Sequence, residues 1–449
     1  MTTIRSLSED LIHLIAGHFS TEDFCAFRQT CRDMNAKTFG RFKRTYFQTR
    51  YVMLERESLN TLIRISEHPL LGPEVRTLGL CTERLPEPDE SVNGSRSFWN
   101  TLAEDSDSDQ LDFWPGGETD VWFEDDDDDD ILNSSYAAIC RRYFDDQESF
   151  ISGPDVDALT RAMSCLCNCR TLVLTDAHTP WGAMRLEREV GELERGLTYD
   201  EFDDQPFVKH VLNAMLTAAK ASEIPVEELC IYLGHPDEPK ATFPIGFRLL
   251  DSPPEHMRKR GSEGGLTSLT TLRLLASPTI GRTWGGDDPA PSWIHNCRRF
   301  IGFFPSLSHF SLAFEDEFDD HTAFPGLSSA LSIVQLRKLE LARLEVTEVQ
   351  LAKLLLHHQS TLEEITLRQV SMCGMRSWAT LLGKIKHMSQ VRSVNLKGCW
   401  LSTSNPSGEV DCYDIDVCIK GEQDFEEAIA MMEELAMKIA LEEEIDESV

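Results

Sequence analysis

One spacing constrains the fold of this chain more than any other feature: an apolar residue, two positions of any kind, a second apolar residue, one further position, and a third. It occurs eight times, as Val75-Leu78-Leu80, Cys169-Leu172-Leu174, Val226-Leu229-Ile231, Leu269-Leu272-Leu274, Leu307-Phe310-Leu312, Leu336-Leu339-Leu341, Leu362-Ile365-Leu367 and Val391-Val394-Leu396. The last two apolar positions of each match share one face of a β-strand, because side chains alternate along a strand. From Phe310 to Leu339, Ile365 and Val394 the steps are 29, 26 and 29 residues. That length holds one strand, one helix and their turns. Helical stretches stand where such a unit needs them, at Phe300–Phe304, Leu327–Val334, Val349–His358 and Trp378–Met388. Strand and helix alternating at this period predict a curved solenoid, with parallel strands inside and helices outside.

The spacing and period resemble those of leucine-rich repeats. The repeats are irregular: only Cys399 supplies the Asn or Cys expected three residues past the last Leu, and the earlier steps are 94, 57 and 43 residues. A generic α/β domain with buried parallel strands also yields apolar runs. Eight matches with three near-equal steps favour a leucine-rich-repeat-like solenoid over 131–411. It follows a linking helix and first repeat strand over 51–83. A cap over 412–449 carries an acidic amphipathic helix built on Phe425, Ile429, Met432, Ala436 and Ile439.

The N-terminus has a different rhythm. Leu11, Leu14, Ile15 and Phe19 form a helical apolar stripe that Ile12 widens, with Ser8 as N-cap and Glu9 and Asp10 at the positive end of the dipole. A second short helix is expected from about Thr21, with Phe24, Phe27 and Cys31 on one face. Two helices this short cannot bury themselves and need a partner, in this chain or another.

Leu7, Asp10, Leu11, Ile12, Ile15, Phe19, Asp23-Phe24 and Cys31-Arg32 resemble the F-box, the helical module by which substrate receptors dock onto the Skp adaptor of Skp–cullin–F-box ubiquitin ligases. Ser8 replaces the usual Pro, Asp10 the usual Glu, and Phe19 and Phe24 stand where Leu is common. The stretch from Thr45 to Arg76, including His68-Pro69 and Leu71-Gly72-Pro73-Glu74-Val75-Arg76, is similar to the segment that follows the F-box in a large group of filamentous-fungal F-box proteins. The resemblance spans about 80 of 449 residues. It implies an F-box over 1–50 whose Leu7, Leu11, Ile12, Ile15, Phe19, Phe24, Cys31 and Arg32 meet the adaptor and, through it, a cullin. In the isolated chain the six apolar members are expected to stay partly exposed.

The chain carries 76 acidic and 43 basic residues, a net charge of −33. That balance opposes nucleic acid and anionic membranes. No secretory leader or membrane-length apolar run stands out. Thirteen cysteines without a disulfide spacing predict reduced thiols and a cytoplasmic or nuclear setting. Fourteen acids and no Lys or Arg fall within 101–130, so 84–130 is expected to be a disordered insertion. Phe98-Trp99, Phe113-Trp114 and Trp122-Phe123 interleave with the acids, a composition also seen in short docking motifs.

Catalytic signals are weak. Cys165-x-Cys167-x-Cys169 with His178 has poor zinc spacing and reads as core thiols, and His357-His358 reads as solvated surface. No phosphate loop, nucleophile elbow or paired zinc motif occurs, so neither catalysis nor a cofactor or metal is expected.

The solenoid expectation also places a target site. Residues between the inward positions face out, which assigns Arg273, Lys338, Glu340, Glu364, Arg368, Asn395 and Lys397 to one exposed mixed-charge strip suited to an unknown protein target. Two functions fit: substrate receptor of a ubiquitin ligase, or a leucine-rich-repeat scaffold acting outside one.

Overall fold

All eight motif sites become strands, and the strands lie side by side in the order in which the chain makes them. The computed structural model describes residues 4–85, 127–197, 201–234, 245–246, 250, 265–277, 293–318, 324–374, 376–404 and 410–446. Its strands are β1 (Thr49–Met53), β2 (Thr77–Cys81), β3 (Thr171–Thr175), β4 (Glu228–Tyr232), β5 (Ile245–Gly246), β6 (Thr271–Ser277), β7 (His309–Phe318), β8 (Lys338–Glu345), β9 (Glu364–Cys373), β10 (Ser393–Ser404) and β11 (Val410–Ile419). They form one 11-stranded sheet, ordered β1-β2-β3-β4-β6-β7-β8-β9-β10-β11, with β5 paired to β6 off that path. Neighbours are parallel up to β10, and β11 closes the run antiparallel to β10.

Register explains why the motif recurs. Leu78, Leu172, Leu229, Leu272, Phe310, Leu339, Ile365 and Val394 are successive Cα partners across the sheet, and Leu80, Leu174, Ile231, Leu274, Leu312, Leu341, Leu367 and Leu396 form a second row. Both rows are buried. The residue before each strand repeats as well. The Arg76 carbonyl accepts from the N–H groups of Arg170 and Thr171, Arg170 from Glu227 and Glu228, and so on to Glu363 with Arg392 and Ser393. One backbone geometry is thus reused at every step.

The helices are α1 (Glu9–Ala16), α2 (Thr21–Gln29), α3 (Arg32–Phe47), α4 (Arg56–Ser66), α5 (Asp127–Ile151), α6 (Pro154–Ser164), α7 (Ala183–Val190), α8 (Glu201–Ala221), α9 (Trp293–Ile301), α10 (Phe324–Leu331), α11 (Glu348–His357), α12 (Ser377–Lys386) and α13 (Glu422–Asp446). Helices pack side by side, α4 on α6 on α8 and α9 through α13 in sequence, as a layer behind the buried rows. The helical stretches expected before the last repeats match α10, α11 and α12 closely, whereas α9 starts and ends earlier than Phe300–Phe304. On α13, Phe425, Met432, Ala436 and Ile439 are buried and Ile429 is half-buried, so the C-terminal stripe packs as its spacing predicts.

The structure departs from the sequence expectation in several places. The sheet begins one strand early, at β1, where Arg50 pairs with Leu78 in register and so hides the apolar pattern. Arg50 lies over the rings of Phe47 and Trp181, and burial pushes its guanidinium down to about 10. Gly79 is required there: a Cβ would sit 2.3 Å from Cδ1 of the Tyr51 ring. The acidic insertion is shorter than 84–130. Arg84 bridges to Glu194, Leu85 is buried, and Asp127–Asp130 already belong to α5, while 86–126 lie outside the described residues. Cys165 and Cys167 are exposed rather than core thiols; only Cys169 is buried, which pushes its thiol up to about 12. His358 is buried, not solvated, and that burial pushes its imidazole down to about 4.

Three strands share a bend. Arg343, Gln369 and Gly398 follow the register partners Ala342, Arg368 and Lys397, and all have positive φ, +57°, +51° and +54°. For the two non-glycine residues this conformation costs about 1–3 kcal/mol each. Each bend puts two consecutive residues outward before Leu344, Val370 and Cys399 return to the core.

One buried acid has a measurable consequence. Glu83, just past β2, is fully buried, and neither carboxylate oxygen has a hydrogen-bond partner among the described residues. Burial pushes this carboxyl up to about 8, helped by Asp176 and Glu187 and opposed by Arg195. Between the unfolded and folded values the native state holds a proton that the unfolded chain has released. Stability from this group is therefore complete in acid and falls as pH rises through about 8. From pH 5 to 8, wild type is expected to lose about 2–4 kcal/mol relative to Glu83→Gln, read from urea melts at each pH. Parallel pH curves for the two proteins would show that Glu83 does not hold the proton.

Candidate functional site

The N-terminal helices find part of their partner within the chain. Helix α3, which the sequence reading missed, carries Met34, Thr38 and Phe42 at four-residue spacing. Against it pack Ile12 and Ala16 of α1 and Phe24 of α2, all buried. Thr38 is tolerated because its hydroxyl donates to the Met34 carbonyl at 2.7 Å. The Phe24 ring stacks on Tyr46 with centroids 6.0 Å apart. Polar ties fix the angle: Lys37 Nζ donates to the carbonyls of Arg5 (2.5 Å) and Leu7 (3.0 Å), and His13 Nε2 lies 2.8 Å from the Lys37 carbonyl. Lys43 pairs with Glu74 at 2.5 Å, joining this unit to the turn before β2.

This corrects the expected contact surface. Ile12 and Phe24 form the unit's own core, so the expectation that all six apolar members stay partly exposed fails for these two. Leu7, Ile15 and Phe19 are half-buried, the Phe19 ring meeting Phe27 edge-on at 5.2 Å. Leu11 is 47% exposed and Leu14 66% exposed. At 100° per residue, Leu14, Leu11 and Ile15 form an outer arc beside the inner arc of Ile12 and Ala16. The apolar face of α1 is therefore wider than the surface α3 covers. The helical pattern was readable in sequence; which half of it α3 takes was not.

Cys31 does not extend α2. It is the N-cap residue of α3, half-buried, and the Met34 backbone N–H holds its thiol below the ordinary range. Arg32 beside it is exposed. Both line a surface hollow of about 530 Å³ with Cys25, Arg28, Gln29, Asn35 and Phe42. Arg28 lies 3.4 Å above the Phe42 ring and donates to Asn35 Oδ1 at 2.7 Å, which fixes the wall of the hollow.

The seven expected target residues all lie on the sheet face away from the helices, but on three register rows instead of one strip. Arg273, Glu340 and Asn395 share a row with Ser311 and Thr366 between them; Lys338 and Glu364 share the next; Arg368 and Lys397 are partners on the third. Much of the charge is already satisfied. Arg273 reaches Glu228 at 2.8 Å and Glu340 at 2.9 Å, and Lys338 meets Glu364 at 2.8 Å. The His309 ring, then Arg273, holds the Glu340 carboxyl down at about 2. Arg368 and Lys397 are exposed and have no ion-pair partner among the described residues.

Among the described residues, no three His, Cys, Asp or Glu side chains come together as a metal site, and no helix is long and apolar enough to cross a membrane. Compared with known proteins, the chain matches no family model and no curated protein, so its function has to be read from its own residues.

Proposed function

We propose that this chain is the substrate-recognition subunit of a Skp–cullin–F-box ubiquitin ligase. Residues 1–50 would be an F-box holding the Skp adaptor, and the sheet with its helices a leucine-rich-repeat-like solenoid holding a protein target. The cullin-bound ligase would supply the chemistry, and this chain none. The observation that carries the reading is the uncovered half of α1. Leu11 and Leu14 stay exposed on a three-helix unit that already has a core of its own, which suits a surface kept for another protein. The resemblance of Leu7 to Arg32 to the F-box is what suggests the Skp adaptor as that protein. Strand order supports the second half: sequential parallel strands with one helix layer are what stacked repeats produce.

The test is affinity purification of the full chain from cells, scored for both adaptor and cullin. Recovery of both is expected. Adaptor without cullin would favour a scaffold acting outside a ligase, and recovery of neither would overturn the F-box assignment.

A further inference from the structure

The outer face of the sheet holds two kinds of charge. Around Glu340 the groups neutralise one another: Arg273 bridges Glu228 and Glu340, Ser311 donates to Glu340 at 3.2 Å, and Lys338 pairs with Glu364. Toward the end of β8 and midway along β9 and β10 the pattern changes. There the three aligned bends at Arg343, Gln369 and Gly398 present a doubled outward row. Arg343 Nε donates to Gln369 Oε1 at 3.2 Å, so the row is braced across strands. Beside it stand Arg368 and Lys397, Cα partners on adjacent strands, both exposed and neither ion-paired among the described residues. Two adjacent unpaired cations on a chain of net charge −33 are unexpected as plain surface, and non-glycine residues held at positive φ beside them add a strained, shaped backbone.

We propose that this row binds a short, extended acidic peptide segment of the target, with Asp or Glu carboxylates seated on Arg368 and Lys397. This deepens the receptor reading and rests on it for the word target. Charge complementarity selects the occupant. Guanidinium and ammonium groups at neighbouring strand positions offer charge-assisted hydrogen bonds to two or three carboxylates. The site is too small for nucleic acid, whose binding proteins typically make about 6–10 phosphate contacts. Acids bound it further: Asp416 accepts from the Gly398 N–H at 2.6 Å, Asp414 is exposed on the same strand, and Glu345 lies on β8. A long polyanion would run onto those acids, whereas a short segment ends before them.

The experiment is fluorescence anisotropy of a fluorescein-labelled tetra-glutamate peptide with the full chain. Wild type is expected to bind, and to bind less tightly as salt rises. Arg368→Glu with Lys397→Glu should weaken binding by at least about tenfold, and the milder Arg368→Gln with Lys397→Gln should fall between. Arg298→Glu with Lys353→Glu, exposed on the helix layer, should leave it unchanged. No binding by wild type, or equal loss in the helix-layer variant, overturns the proposal, as does full binding by the charge-reversed protein. Thermal melts confirm that each variant is folded. Adaptor recovery with the same variants judges the receptor reading separately: adaptor kept with peptide binding absent rejects the peptide class alone, and adaptor lost from wild type rejects the receptor reading.

Discussion

Replacing Phe310 by Ala should cost about 3–5 kcal/mol of folding stability. Phe310 is fully buried and sits mid-sheet, partnered by Leu272 on β6 and Leu339 on β8. Truncating the ring removes its transfer free energy and leaves a cavity against α-helical and strand neighbours on both sides, which cannot all close in. The contrasting change is Thr366→Ala, in an outward row two strands away, which should cost less than about 1 kcal/mol. Urea midpoints with unchanged slopes read both values. Equal effects at the two positions would mean that the alternation of inward and outward rows is wrong.

That alternation was the part of the fold most legible in sequence, and the reason is physical. A parallel strand backed by helices must bury every second side chain, so Leu-x-Leu survives at each step whatever the intervening insertion. Legibility failed where a residue could satisfy the geometry without being apolar. Arg50 takes a Leu place in β1 by lying over Phe47 and Trp181, so the first strand left no signature. Thr38 sits inside the N-terminal unit because its hydroxyl turns back to its own helix, and α3 went unread although Met34, Thr38 and Phe42 keep helical spacing. The bends at Arg343, Gln369 and Gly398 could not be foreseen, since only one of the three is glycine.

At the candidate sites the sequence supplied the residues and the structure their state. Spacing grouped Ile12 with Leu11 and Ile15, but α3 covers Ile12 and leaves Leu11 open. Alternation put Arg273, Lys338, Glu340 and Glu364 on the outer face, but it does not foretell that they pair among themselves. Partnering depends on register between strands tens of residues apart. A single strand's pattern does not carry that information.

The most direct test of the receptor account is the affinity of the full chain for purified Skp adaptor, measured by calorimetry for wild type and for Leu11→Asp with Leu14→Asp. Both leucines are exposed, so the double variant should melt as wild type does. Each would bury its side chain against the adaptor, a gain of about 1.5–3 kcal/mol, and a carboxylate there would have to be desolvated instead. The account predicts tight binding by wild type and a loss of at least about 100-fold in the variant, with unchanged melting. Binding that survives both substitutions, or a wild-type chain that does not bind the adaptor at all, would contradict it.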